Sequence, residues 1–280
     1  MQFVHFARQG SPQWGVKTAT GIHSLSADPT GDPTVQDLAN PSYRRRVLAG
    51  IERDVYPIVD ADDVEFLAPV QRPGTIVCVG LNYHDHASEQ NLDPPEKPML
   101  FAKAPTAVTD PESPIVYPGD VEQVDYEVEL AVVIGREATS VPADRALEYV
   151  AGYTVLNDVS ARDAQFEDEQ FFRAKSYDTF APMGPTLVTP DDLDPNALDV
   201  TLRVNDEVKQ RSNTEEFIFD VESLIEYISN VMTLRPGDVI STGTPGGVGI
   251  FRDPPDLLEP GDEVEAEIEG VGTLANHVTT

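Results

Sequence analysis

Two glutamates, Glu127 and Glu129, stand two residues apart in a stretch that is otherwise apolar and of strand length. Because strand side chains alternate between the two faces of a sheet, both carboxylates point to one face, whereas Tyr126, Val128 and Leu130 point to the other. Like charges on a partly buried face must share a proton, contact cationic side chains or bind a metal ion. The spacing therefore predicts a place for positive charge on this strand.

A third carboxylate, Asp158, follows the next predicted strand, residues 153–157. If the two strands are neighbours, Asp158 joins the two glutamates in a cluster with open positions for water or substrate. Ligation by anionic oxygens alone suits Mg²⁺, with Mn²⁺ as an alternative, better than Zn²⁺. The spacing alone leaves two interpretations open, a metal site and an ion-pair network with arginines such as Arg136 and Arg162.

His86 and Glu89 are three residues apart where an apolar strand, residues 75–79, gives way to a polar segment. On a helical turn they share one side, so that the carboxylate can hold the imidazole in one tautomer and raise its basicity. This is the arrangement of a general base that activates water. Two other interpretations are a zinc-binding pair, His84 with His86, and a polar surface segment without a function.

Lys175 is one of only five lysines in the chain. A compact cation near a metal site can hold a substrate carboxylate or a developing oxyanion, although a structural ion pair with a nearby aspartate is the simpler interpretation. The glycine-rich segment 242–249 follows a predicted strand but lacks the P-loop lysine and the dinucleotide-binding spacing, so nucleotide binding is not expected. Its backbone could still approach a small ligand closely.

The chain of 280 residues carries 49 acidic and 19 basic residues, a formal net charge of -30 and a sequence pI of about 4.2. No basic patch is available for nucleic acid or an anionic membrane surface. Such acidity suggests adaptation to a high-salt cytosol, where ions screen the self-repulsion. No secretory signal or membrane-spanning run is visible, and the single cysteine, Cys78, lies in an apolar run as a buried residue would. We therefore expect a cytoplasmic protein.

The pattern of elements is that of a β-rich α+β protein. Residues 1–70 are expected to form a small N-terminal domain with short strands and a helix from Thr34, a plausible N-cap, through Gly50. Residues 71–280 are expected to form the catalytic domain, in which tight turns separate many strands and the clearest helix covers residues 223–232.

With these residues in view, the sequence resembles the fumarylacetoacetate hydrolase superfamily from about residue 70 to its C-terminus, most closely the acylpyruvase and 2-hydroxyhepta-2,4-diene-1,7-dioate isomerase-like branch. Several motifs in the family's order carry the resemblance, namely residues 79–89, 125–130, 152–163, 174–176, 183–185, 240–249 and 270–274. The resemblance implies a mixed β-roll catalytic domain behind a small N-terminal domain, and a homodimer.

Carried over residue by residue, the resemblance implies three sets of site residues: the Mg²⁺ ligands Glu127, Glu129 and Asp158; the dyad His86 and Glu89 on a mobile lid, with Lys175 beside the metal; and the substrate contacts Arg162, Gln165 and Thr244. The implied substrate is a 2-oxo or 2,4-dioxo acid, such as an acylpyruvate or a diketo sugar acid. The implied reaction is carbon–carbon hydrolysis that releases pyruvate and a carboxylic acid. Decarboxylation of an oxaloacetate-like acid and keto–enol or dienoate isomerisation are the alternatives on the same site, and a non-catalytic ligand-binding protein is the alternative from another class.

Overall fold

The computed structural model describes residues 1–280. The first 70 residues contain five strands and two α-helices: β1 (Gln2–Arg8), β2 (Ser11–Thr18), β3 (Gly21–Ser24), α1 (Val35–Ala39), α2 (Pro41–Ile51), β4 (Ile58–Val59) and β5 (Glu65–Leu67).

The rest of the chain contains fourteen strands and four α-helices: β6 (Ile76–Gly80), α3 (His84–Glu89), β7 (Met99–Lys103), β8 (Val108–Thr109), β9 (Pro114–Val116), β10 (Val124–Asp125), β11 (Val128–Ile134), β12 (Val150–Asn157), β13 (Ser160–Ala161), α4 (Arg162–Asp168), α5 (Phe172–Lys175), β14 (Ala181–Val188), β15 (Asp199–Val204), β16 (Glu207–Asn213), α6 (Val221–Val231), β17 (Val239–Ser241), β18 (Glu263–Ile268) and β19 (Gly272–Thr279). Short 3₁₀ segments lie at Leu25–Ala27, Ala61–Asp63, Pro105–Ala107, Ala143–Tyr149, Pro190–Asp192, Thr214–Glu216 and Gly249–Phe251.

Two mixed sheets dominate the molecule. The larger has the strand order β4-β3-β2-β1-β14-β12-β11-β17-β6-β7, with β5 paired to β1 and β8 to β14. The smaller has the order β16-β15-β18-β19-β9. Most pairings are antiparallel, but β17 runs parallel to β6, β19 parallel to β9 and β14 parallel to β8. The predicted β-rich α+β fold is confirmed.

Strand β11 lies in the middle of the larger sheet, between β12 and β17, and all seven of its residues are buried. Leu130 and Val132 belong to one hydrophobic cluster, and Ala131 and Val133 belong to another on the opposite face. Both faces of β11 are therefore covered, as near-continuous apolar strands require. The carboxylate face does turn apolar beyond Glu129, as the sequence predicted.

The predicted helix 34–50 is two helices. Thr34 caps α1 in a capping box with Asp37, but the chain turns at Asn40 and α2 begins at Pro41. A residue before proline avoids helical backbone angles, and proline itself suits the first position of a helix, so a helix boundary falls here.

The N-terminal strands are continuous with the larger sheet. Strand β1 pairs with β14, aligning Phe3 with Leu187, and β5 pairs with the other part of β1. The boundary between domains at residue 70 stays a prediction. None of the helices combines the length and apolarity needed to cross a membrane. Cys78 is fully buried within β6, as expected.

Candidate metal and catalytic site

Glu127, Glu129 and Asp158 lie together in the structure. Each offers a carboxylate oxygen, the three oxygens lie within 4.8 Å of one another, and all three residues are buried. Val128 is aligned with Asn157 in the antiparallel pairing of β11 and β12, and the backbone N–H of Asp158 donates to the carbonyl of Glu127 at 2.8 Å. The strand pairing thus brings together carboxylates that are about thirty residues apart in the sequence.

Two lysines contact this carboxylate cluster. Lys175 Nζ lies 2.5 Å from Glu127 Oε2 and 2.7 Å from Asp158 Oδ2. Lys103 Nζ, at the end of β7, lies 2.5 Å from Asp158 Oδ1 and also donates to the carbonyl of Val159. Burial alone would favour neutral Lys175, but Asp158 and Glu127 outweigh it and raise its pKa, whereas burial lowers the pKa of Lys103.

Arg162 connects the cluster to a fourth buried carboxylate, Asp125. Its guanidinium donates to Asp125 Oδ2 at 2.8 Å, to Glu127 Oε1 at 2.5 Å and to Gln165 Oε1 at 2.8 Å. Asp125 also accepts from the backbone N–H groups of Gly249 and Ile250, each at 3.0 Å. The ion-pair network and the carboxylate cluster therefore coexist. Arg136, the other arginine considered from sequence, is exposed.

The charges in this network do not cancel. Four buried carboxylates (Asp125, Glu127, Glu129 and Asp158) contact or neighbour three cations (Lys103, Lys175 and Arg162), which leaves one negative charge.

The excess charge falls on Glu129. Its Oε2 accepts from Ser241 Oγ at 2.5 Å and from the backbone N–H of Gly243 at 2.9 Å, but no cation contacts it. Burial and the neighbouring Asp158 and Glu127 raise its pKa to about 8. Burial acts in the same sense on Glu127, but Lys175 and Arg162 outweigh it and lower that pKa to about 2.

This donor set fits a divalent metal ion. It offers three converging carboxylates, has one uncompensated negative charge and contains no thiolate or imidazole ligand, which together favour a hard cation such as Mg²⁺ or Mn²⁺. Adding two positive charges would leave the network with one positive charge, which an anionic substrate could balance. The cluster could therefore hold a divalent cation.

His86 and Glu89 form the dyad that the sequence predicted. Both lie on α3, and His86 Nδ1 is 2.6 Å from Glu89 Oε1. The second oxygen of Glu89 accepts from the backbone N–H of Gly247 at 2.7 Å. Glu89 thus fixes the imidazole while being fixed itself by the glycine-rich segment. His84 is exposed and His86 buried, so the alternative zinc pair does not converge.

The glycine-rich segment also holds the start of α3. Asp85 accepts from the backbone N–H of Gly246 at 3.1 Å and from Ser212 Oγ at 2.5 Å. Gln210 ties the same segment to β11, because its side chain donates to Thr244 Oγ1 at 2.8 Å and accepts from the backbone N–H of Val128 at 3.0 Å. The helix that carries the dyad is therefore connected, through the glycine-rich segment and the side chain of Gln210, to Val128 at the start of β11, between Glu127 and Glu129.

Residues of the dyad, the carboxylate cluster and its cations line one cavity of about 260 Å³. Eight of the nine residues predicted for the site belong to the wall or contact it directly: His86, Glu127, Glu129, Arg162, Gln165, Lys175 and Thr244 line it, and Glu89 contacts His86. Asp158 lies behind Lys175. The wall of the cavity also contains apolar side chains, among them Leu92, Met99, Phe101, Phe171 and Phe251.

Sequence reasoning missed four polar residues of this site: Asp125, Lys103, Gln90 and Gln210. Asp125 lies in the same motif as Glu127, and Lys103 is one of the five lysines, so scarcity could have drawn attention to it. Gln90 follows the dyad directly and its side-chain Nε2 lies 3.0 Å from His86 Nε2. Gln210 lies in a polar strand with no local signal of its role.

Taken together, the mixed sheets carry a cavity at which a buried carboxylate cluster and an imidazole–carboxylate pair meet. Residues 75–279 match the family described as fumarylacetoacetate (FAA) hydrolase C-terminal. The chain belongs to this family.

Relatives with solved structures or assigned activities cover nearly the whole chain. The human protein named oxaloacetate tautomerase FAHD2A, mitochondrial, is 45% identical over 278 residues, which cover 95% of this chain and 87% of that protein. A fumarylacetoacetate hydrolase from Exiguobacterium antarcticum is 39% identical, with a TM-score of 0.88 and coverage of 100% and 99%. A 2-hydroxyhepta-2,4-diene-1,7-dioate isomerase from Mycobacterium marinum is 36% identical, with a TM-score of 0.79 and coverage of 100% and 98%.

Proposed function

We propose that this protein is a divalent-metal-dependent keto–enol tautomerase that acts on short 2-oxo dicarboxylic acids of the oxaloacetate type. The observation that carries the proposal is that the His86–Glu89 dyad and two of the clustered carboxylates line one cavity. A proton-transfer group thus lies beside a place where negative charge on a substrate can be stabilised. The similarity to proteins named tautomerases and isomerases favours proton transfer over bond cleavage.

Different residues of the cavity would bind the substrate, transfer the proton and stabilise the enolate. Arg162 and Lys175 attract the carboxylate end of the substrate, and Gln165 and Thr244 offer further hydrogen bonds. His86, oriented by Glu89, takes the proton from C3 through Nε2 as the C2 carbonyl becomes an enolate. The same proton returns to the oxygen, which completes the enol. A divalent cation held by Glu127, Glu129 and Asp158 would supply electrostatic stabilisation of the enolate oxygen.

Carbon–carbon hydrolysis is the second candidate, and the dyad is the observation that favours it. On an acylpyruvate, water would give a proton to His86, and its oxygen would attack the distal carbonyl carbon. The bond between that carbon and C3 would then break, and C3 would accept the proton to give pyruvate and a carboxylic acid. Decarboxylation of oxaloacetate is a third outcome of the same enolate chemistry. The ordered dyad argues against a merely ligand-binding protein.

The decisive experiment follows the enol band of oxaloacetate by ultraviolet absorbance while a coupled dehydrogenase reports pyruvate. Chelator-treated protein is compared before and after addition of Mg²⁺ or Mn²⁺. We expect metal-dependent enol–keto equilibration without stoichiometric pyruvate release. Pyruvate from oxaloacetate would instead indicate a decarboxylase, and pyruvate from an acylpyruvate a hydrolase.

His86→Ala tests the base and His84→Ala is its matched control, because both histidines lie on α3 but only His86 lines the cavity. The H86A variant should lose about 10²- to 10⁴-fold in rate, the usual contribution of general acid–base catalysis, while Mg²⁺ binding is retained. H84A should remain active. Full activity of H86A would eliminate this imidazole as the base.

A further inference from the structure

Both nitrogens of the His86 imidazole are engaged within the protein. Nδ1 faces Glu89 Oε1 at 2.6 Å, and Nε2 faces the side-chain amide of Gln90 at 3.0 Å. With the Nδ1 proton directed at the carboxylate, Nε2 carries the lone pair and the Gln90 amide donates to it. Nε2, the nitrogen that must accept a proton during catalysis, is therefore capped by Gln90, four residues further along the chain.

Gln90 is well placed to act on the reaction. It is the C-cap residue of α3, it is half-buried, and it lines the cavity together with His86 and the carboxylates Glu127 and Glu129. A water molecule activated by His86 would have to occupy the direction from Nε2 that the amide now fills. Hydrolysis needs such a water, whereas tautomerisation needs only the substrate carbon.

We propose that Gln90 is a specificity-determining residue: by capping Nε2 of His86 it suppresses the activation of water and so favours proton transfer within the bound substrate over hydrolysis. The inference deepens the proposed function and rests on it for the identity of the favoured reaction. The capping itself rests on the contacts of α3 alone.

The bound substrate and a free water molecule do not compete equally with the Gln90 amide for Nε2 of His86. Arg162 and Lys175 line the cavity and would hold a 2-oxo acid at its carboxylate end, so that its C3–H would be presented to Nε2 at high effective concentration and could displace the amide. A free water molecule has no such anchoring. A neutral hydrogen bond contributes about 1 kcal/mol net, which corresponds to roughly fivefold in the availability of Nε2 to water.

Gln90→Met is the matched variant for this proposal, because methionine keeps nearly the length and volume of glutamine but donates no hydrogen bond. Gln90→Ala removes bulk as well and opens room for water. Each variant is assayed for pyruvate release from an acylpyruvate and for enol–keto equilibration of oxaloacetate, both with Mg²⁺ present. We expect the ratio of hydrolysis to tautomerisation to rise about three- to tenfold in Q90M, and at least as much in Q90A.

A second readout does not depend on turnover. Diethyl pyrocarbonate acylates an unprotonated imidazole nitrogen, so an uncapped Nε2 should react faster. Peptide mass spectrometry gives the modification rate of His86, and the exposed His84 on the same helix is the internal reference. We expect the His86 rate to rise several-fold in Q90M relative to His84.

The capping of Nε2, the role of Gln90 in specificity and the proposed tautomerase activity are tested by different outcomes. An unchanged His86 acylation rate in Q90M would overturn the capping, and faster acylation without any gain in hydrolysis relative to tautomerisation would overturn the role in specificity. If the wild-type protein fails to tautomerise oxaloacetate but Q90M shows both faster acylation and faster hydrolysis, the suppression of water activation stands and the proposed tautomerase is refuted.

Discussion

Replacing Glu129 with glutamine is expected to stabilise the metal-free protein while removing its response to Mg²⁺. Glu129 carries the negative charge that no cation contacts, and its pKa is raised from 4.5 to about 8. Because the raised pKa belongs to the folded state, an ionised Glu129 opposes folding. The free energy of unfolding should therefore fall as pH rises from about 4.5 to 8, by at most about 5 kcal/mol from this group. Glutamine keeps the shape and an accepting oxygen but cannot ionise.

Glu127→Gln is the contrasting variant in the same cluster. The pKa of Glu127 is lowered from 4.5 to about 2, so its ionised form contributes about 3 kcal/mol of stability above pH 4.5, which is lost as pH falls towards 2. E127Q should therefore destabilise the metal-free protein at pH 8.5, where E129Q stabilises it. Both variants should lose most of the roughly 3 kcal/mol that Mg²⁺ at 100 times its Kd would add to the wild type.

The assay is urea unfolding followed by circular dichroism at pH 5 and pH 8.5, in chelator and then in Mg²⁺. Urea is preferred to guanidinium because it adds no ions that screen charge. Glu263→Gln, an exposed strand glutamate on β18, is the control and should change stability by less than about 0.5 kcal/mol. If E129Q destabilises the metal-free protein at pH 8.5 as E127Q does, the reasoning from excess negative charge is refuted.

Two further predictions concern the glycine-rich segment and the surface. Gly247→Ala should reduce activity at least tenfold, because an added Cβ would overlap the carbonyl of Lys209 and displace the backbone N–H that holds Glu89. Gly261 has a similar positive φ but open space around it, so Gly261→Ala is the control. It should leave activity unchanged and lower the free energy of unfolding by about 1 kcal/mol. Equal activity of both alanine variants in steady-state assays would contradict this. With a net charge of -30, thermal stability should rise by several degrees between 0.1 and 2 M KCl in a differential scanning experiment, and a flat or falling response would contradict the predicted salt adaptation.

The parts of the site that obey a local period could be predicted from sequence. Glu127 and Glu129 share a face because strands have a period of two, and His86 and Glu89 meet because helices bring positions i and i+3 together. The break between α1 and α2 is also local, since Pro41 marks it in the sequence, although the predicted helix 34–50 runs across it.

The parts that depend on tertiary pairing could not be predicted in this way. Lys103, at the end of β7, contacts Asp158, which is 55 residues further along the chain, and nothing near Lys103 in the sequence shows that it is buried. Strand β16 is polar along its length because it lies at the edge of its sheet, so it lacks the apolar alternation by which strands are found. The role of Gln210 on β16 follows only from the position of that edge strand against the segment at Thr244.

The pairing of β1 with β14 has a consequence for how the chain reaches its fold. Gln2 and Phe3 align with Val188 and Leu187, so β1 completes one side of its pairing only after the ribosome has made the chain as far as β14. Until then the edge of β1 that β14 will cover presents unpaired backbone groups, which are a template for aggregation. Contacts of such long sequence separation also slow folding. Cutting the chain near residue 70 should therefore yield two fragments that are poorly soluble apart and that recover structure when mixed.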